Sequence, residues 1–193
     1  MVAGKSTQVW DKRHQVVVTH SFKGAKALSG TLDNAAAVDQ GGGLVRVPMT
    51  AHGFLAGSWI CLVGSTNYDG MHLIIAVAAN TFDITAPFVA ETFAGTEFAG
   101  VGLAPGFGFK LHEARLHFDA APTTPETLTI TLDSALGVEF DVVPKSVAIG
   151  TNQDWDWAPG EQLYYDPGDV LKFAYTNTDV GTWGLEIKYL KLA

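Results

Sequence analysis

Cysteine is nearly missing from this chain of 193 residues, where Cys61 is the only one. A single thiol excludes an intrachain disulfide and any cysteine-built metal knuckle. Within the apolar run 59–63 it reads as a small buried hydrophobe. Charge is also scarce. Asp, Glu, Lys and Arg make up 17% of the residues, against about 25% in an ordinary soluble domain. So little charge points to a surface partly covered by a partner. Lys and Arg number 12 and the net charge is −8, which argues against gripping a nucleic acid by phosphate neutralisation or anchoring electrostatically to a membrane. No apolar run approaches the roughly 20 residues of a membrane helix. Val16-Val17-Val18, flanked by His14, Gln15 and Thr19, is too short for the core of a signal peptide. The reading is an unexported protein made in the cytoplasm.

Catalytic signatures are missing too. There is no Gly-x-Ser-x-Gly elbow and no His-Glu-x-x-His. Gly41-Gly42-Gly43 is not followed by the Lys and Ser/Thr of a phosphate loop, and reads instead as a hinge and domain boundary. No repeat of three and four persists for ten residues, so helices are not expected, apart from one turn that Asp33 or Asn34 could cap.

Short strands and turns fill the rest. The chain is 47% hydrophobic and 11% aromatic, with 21 glycines. Residues 50–100 are the organising stretch. Trp59 to Val63 is rich in β-branched and aromatic residues, and Asn67-Tyr68-Asp69-Gly70 is strong turn chemistry. Residues 71–77 are almost continuously apolar, the mark of a central strand or one covered on both faces. Phe82 and Ile84 alternate with Thr81 and Asp83, and upstream Val45, Val47 and Met49 alternate with Leu44, Arg46 and Pro48. Strands this short and close predict a meander or small β-barrel over residues 31–102.

Residues 103–193 predict a second set. Leu116 and Phe118 face inward, as do Leu128, Ile130 and Leu132. Residues 138–143 read as a strand closed by Pro144, and 152–160 as a loop carrying Trp155 and Trp157. Leu171, Phe173 and Tyr175 share one face, as do Trp183, Leu185, Ile187 and Tyr189. Six strands at this spacing predict an antiparallel β-sandwich of jelly-roll type. The whole is expected to be all-β, in two modules preceded by an arm, residues 1–30. That arm holds Lys5, Lys12, Arg13, Lys23 and Lys26. Residues 15–21 could form a strand that adds to a partner's sheet.

Six histidines are present. His112 and His117 are five apart, so on one regular strand they face opposite sides and make poor joint ligands. His52, before Gly53, reads as a turn residue. Asp154-Trp155-Asp156-Trp157 is the most unusual local sequence. Two alternate aspartates are too few for calcium, which takes six to eight oxygens. The tryptophans could stack on sugars, but the favoured reading is a subunit contact, where Trp and Tyr are enriched. Tyr164 and Tyr165 join this group. The candidate interface is therefore Lys12, Arg13, Trp155, Trp157, Tyr164 and Tyr165. No catalytic residue, metal or cofactor is assigned.

One resemblance is specific enough to use. His52-Gly53, Gly57, Gly64-Ser65-Thr66-Asn67-Tyr68-Asp69-Gly70, Asn80-Thr81-Phe82-Asp83-Ile84 and Ala94-Gly95-Thr96 resemble a small β module recurrent in tailed-bacteriophage virion proteins. Ser58 stands where those modules commonly have an aspartate. Pro167-Gly168-Asp169 and Trp183-Gly184-Leu185 look like parts of a phage structural β-sandwich. The resemblance implies a non-enzymatic virion protein that decorates or cements the capsid exterior. Its partners would be the major capsid protein or other virion proteins, and it would be a homo-oligomer, often a trimer. The alternative is a receptor- or carbohydrate-binding tail or head-fibre protein.

Overall fold

Alternating side chains and frequent turns give a chain built from antiparallel strands. The computed structural model describes residues 16–160 and 163–192; Lys12, Arg13 and Gln162 lie outside them. In chain order the strands are β1 (Val16–Gly24), β2 (Ser29–Thr31), β3 (Val38–Gly41), β4 (Leu44–Pro48), β5 (Trp59–Val63), β6 (Gly70–Ala78), β7 (Thr81–Thr85) and β8 (Phe98–Gly100). They continue with β9 (Gly102–Leu103), β10 (Phe109–Phe118), β11 (Thr127–Asp133), β12 (Val142–Ala148), β13 (Asp154–Trp157), β14 (Tyr164–Tyr165), β15 (Val170–Ala174) and β16 (Trp183–Lys191). One short 3-10 turn, Val138–Phe140, is the only helical element among the described residues.

Three sheets result. A seven-stranded sheet has the order β2-β8-β5-β6-β7-β4-β3. It is open, so the expected small barrel does not close. A second sheet runs β1-β16-β10-β13, with β14 also on β10, and a third runs β12-β11-β15-β9. The inner faces of all three contribute to one hydrophobic cluster, in the manner of a β-sandwich. The inward sets read from alternation are buried as expected: Val45, Val47 and Met49; Phe82 and Ile84; Leu116 and Phe118; Leu171, Phe173 and Tyr175; Trp183, Leu185, Ile187 and Tyr189.

Several local expectations are corrected. Gly41, Gly42 and Gly43 all have positive φ and close the β3–β4 hairpin, so they are no hinge. Residues 33–37 are irregular and cap no helix. The predicted strand over 15–21 exists as β1, but it pairs within the chain, along β16 from Val16↔Lys191 to Gly24↔Trp183. Strand β6 is central, between β5 and β7, yet Ile75 and Val77 remain exposed. In β10 the register slips between Leu111 and Glu113. That bulge inserts one residue and resets the alternation, so His112 and His117 are both exposed.

The chain crosses between sheets at Val101, which donates its N–H to Leu28 O (2.8 Å) and accepts from Phe173 N–H (3.0 Å). Glycines flank it because backbones meet there. A Cβ on Gly100 would lie 2.5 Å from Ser29 Cβ, and one on Gly102 2.8 Å from Leu171 O.

Candidate functional site

The aromatic interface predicted from the sequence is divided by the fold. Residues 154–157 are strand β13 and not a loop, with Trp155 opposite Leu116 and Trp157 opposite Ala114. Period-two alternation then turns both indoles inward, where they pack half-buried against the core. Tyr165 is also buried, stacked on Phe109 at 5.0 Å between ring centroids. Burial pushes its phenol up to about 12, with the charge of Asp169 adding to the effect. Only Tyr164 is exposed, beside Lys110. These residues share no common surface.

What β13 presents outward is charge. Asp154 Oδ1 lies 2.7 Å from His117 Nδ1, and Asp156 sits opposite Arg115. Arg115 reaches Glu113 at 2.7 Å, and Lys188 bridges Glu113 (3.2 Å) and Glu186 (2.9 Å). Partial desolvation would raise the Glu113 carboxyl, but the hydrogen bonds from Lys188 and Arg115 outweigh it and hold it below its ordinary value. Exposed pairs of this kind contribute little stability. No group of three or more potential metal ligands occurs among the described residues.

His52 is a staple. It is buried, and its Nδ1 accepts from Phe54 N–H at 3.0 Å. The proton therefore belongs on Nε2, which faces Ala78 O (2.9 Å) and Thr81 O (3.1 Å). Nδ1 thus fixes the local turn at 52–54, and Nε2 ties that turn to the β6–β7 hairpin. Cys61 is fully buried, and burial pushes its thiol up to about 12, which makes it inert as a nucleophile.

Two surface features remain. The first is the free edge of the third sheet. Leu136, Val138, Phe140, Val142 and Val143 are between 53% and 78% exposed. Alternation of these residues with Gly137, Glu139 and Asp141 imitates a half-buried strand, which is why 138–143 reads as one. The backbone instead makes the 3-10 turn and joins β12 only at Val142. Carboxylates pin its base. Asp141 accepts from Ser134 N–H (2.8 Å), and the buried Asp169 accepts from Ala135 N–H and Asp166 N–H, both at 2.9 Å. The apolar side chains are thus held out in water by a tied backbone. An exposed apolar patch of this kind marks a contact surface.

The second feature is a polar cleft of about 510 Å³ between β2, the turn at 49–52 and the loop 176–180. Asn177 ties the loop by donating from Nδ2 to Lys26 O (3.1 Å) and Gly181 O (2.8 Å). Glu126 accepts from Thr178 N–H and its hydroxyl. Asp179 accepts from Thr123 N–H (2.5 Å), Thr124 N–H (2.9 Å) and both hydroxyls (3.1 and 2.7 Å).

Those donors, Thr124 N–H first, then the Thr124 hydroxyl and Thr123 N–H, hold the Asp179 carboxyl down at about 2. A carboxyl depressed on folding stabilises the native state above its unfolded value of about 3.9, and that stability is lost as pH falls through the folded value. Asp179→Asn is therefore expected to melt below the parent at about pH 5. The gap should narrow as the pH approaches about 2. Thermal melts across this range check it, and a gap independent of pH would refute the role.

No family model, no curated protein and no solved structure matches this chain.

Proposed function

We propose that this chain is a virion structural protein of the tailed-bacteriophage kind, decorating or cementing the outer face of a capsid. It acts by protein–protein contact and not by bond-making. Its sandwich is of the jelly-roll type, and its working form is a homo-oligomer, with a trimer favoured. It is made in the host cytoplasm and resides on the capsid surface, against the major capsid protein or other virion proteins.

One observation carries this reading: five large apolar side chains stand exposed within residues 136–143. They lie at a sheet edge whose strand β12 pairs on one side only, with β11. An unpaired edge invites a partner unless it is blunted by charge or covered. Pro144 and Lys145 blunt the middle of β12, but the stretch 136–143 leading into it is apolar and exposed, which supports coverage of that part in the assembled state. The low charge of the whole chain supports the same view.

The test is electron microscopy of particles with and without the protein, comparing the parent with Val138→Glu/Phe140→Asp. Both side chains are exposed, so the melting temperature should hold. Binding to the shell, or self-association, should weaken at least about tenfold, the scale of one interface hot spot. Parent-level occupancy and oligomeric state in the double variant would reject the proposal.

A further inference from the structure

Three non-glycine residues in the described chain have left-handed backbone: Ala51 (φ 54°), Asn177 (φ 52°) and Val180 (φ 56°). All three line the polar cleft beside β2. For Val180 this conformation is a true outlier, because a β-branched side chain crowds the backbone there. Strain of this kind survives only where the surroundings over-determine it, and it gathers at binding sites. The surroundings here are Asp179, Glu126 and Asn177, whose side chains clamp the loop at five backbone groups and three hydroxyls.

The lining sets the chemistry. Ser29, Thr31, Thr50, Thr176 and Thr178 face the cleft. Past Ala27, Ser29 and Thr176 it continues into a second hollow of about 290 Å³, which adds Thr127 and Thr129. The charged side chains are one Lys26 and one Asp33, which offset each other. Within the described residues the hydroxyls of Ser29, Thr31, Thr129 and Thr176 are not used by the fold. Each can donate and accept at once.

We propose that this elongated groove binds a neutral oligosaccharide in extended form. Sugar hydroxyls also donate and accept, so they match a wall of threonines without needing a net charge. Exposed Val180 offers apolar area to the C–H face of a ring. A single lysine disfavours phosphorylated or acidic chains. A peptide would be held by side-chain pockets or by strand addition, whereas this lining is chiefly hydroxyls. The groove shares no residue with the edge at 136–143, so either assignment can fail alone.

The experiment uses the full chain on an array of neutral and acidic glycans, with a set of extended peptides beside it. Titration calorimetry follows with the neutral hexasaccharide retained best. Thr129→Val/Thr176→Val keeps shape and strand preference but removes two unused hydroxyls. It should melt with the parent and bind at least about tenfold more weakly. Backbone amide shifts on adding the hexasaccharide should concentrate at residues 26–33, 49–52, 127–129 and 174–180. The proposal is overturned by no retention of any neutral glycan, by equal affinity in the double variant, by shifts confined elsewhere, or by preference for the acidic glycans or peptides.

Discussion

Replacing Trp183 with alanine should cost about 3–5 kcal/mol of folding stability, the range for emptying a large aromatic site. Trp183 opens β16 between Gly24 of β1 and Phe118 of β10. It is buried, and it meets Phe54 edge-on at 6.5 Å between centroids. Phe54 belongs to the seven-stranded side of the molecule, so this indole joins that side to the sandwich. Its Nε1–H donates to Lys26 O at 2.6 Å. Gly24 is bare beside it because a Cβ would lie 2.7 Å from the indole Cζ2. The backbone is shaped to this ring and cannot collapse fully into the space it leaves. Lys26 O keeps the Asn177 donor, so the loss should come chiefly from the cavity and not from an orphaned carbonyl. Denaturant unfolding would show a lower midpoint at constant slope. Trp183→Phe should recover most of the loss. A cost below about 1 kcal/mol for alanine would mean the site repacks, against this account.

Truncation at the N-terminus should divide sharply at Val16. Removing residues 1–15 leaves β1 whole, so the protein should fold with a cooperative transition. If Lys12 and Arg13 grip the capsid shell, binding should fall with them; undiminished binding would end that assignment. Removing residues 1–26 takes away the whole ladder on β16, the buried Phe22, and the carbonyl that receives Trp183 Nε1–H. It also takes His20, which lies 3.1 Å from Tyr189 Oη and edge-on to Trp59 at 4.4 Å. Phe22 alone is worth about 3–5 kcal/mol on the scale of Phe→Ala changes. With the ladder gone as well, the loss approaches the 5–15 kcal/mol that a whole domain has. No cooperative unfolding is expected from that form. A native-like near-ultraviolet circular dichroism spectrum would show that β1 is dispensable.

The arm shows how far local reading reaches. Val16, Val17 and Val18 announce a strand, and a strand forms there. Nothing in those residues names β16, at the far end of the chain, as its partner. The same limit appears at Trp155 and Trp157. They alternate with Asp154 and Asp156, but the sequence does not say which face is covered, because that depends on pairing with β10. At residues 136–143 alternation misled outright, because apolar residues at every second place can equally be left in water. A separation of five puts His112 and His117 on opposite faces of a regular strand, and the one-residue bulge in β10 returns both to the exposed face.

Sequence alone settled that the chain is all-β, and it settled which side chains of the regular strands point inward. Both follow from the two-residue period of the pleat, which is local. The tertiary structure alone decided which strands pair, that the first sheet stays open, where the apolar edge emerges, and that Ala51, Asn177 and Val180 meet at one cleft. Those outcomes depend on hydrogen bonds and packing between residues far apart in the chain, and no short-range pattern carries that information.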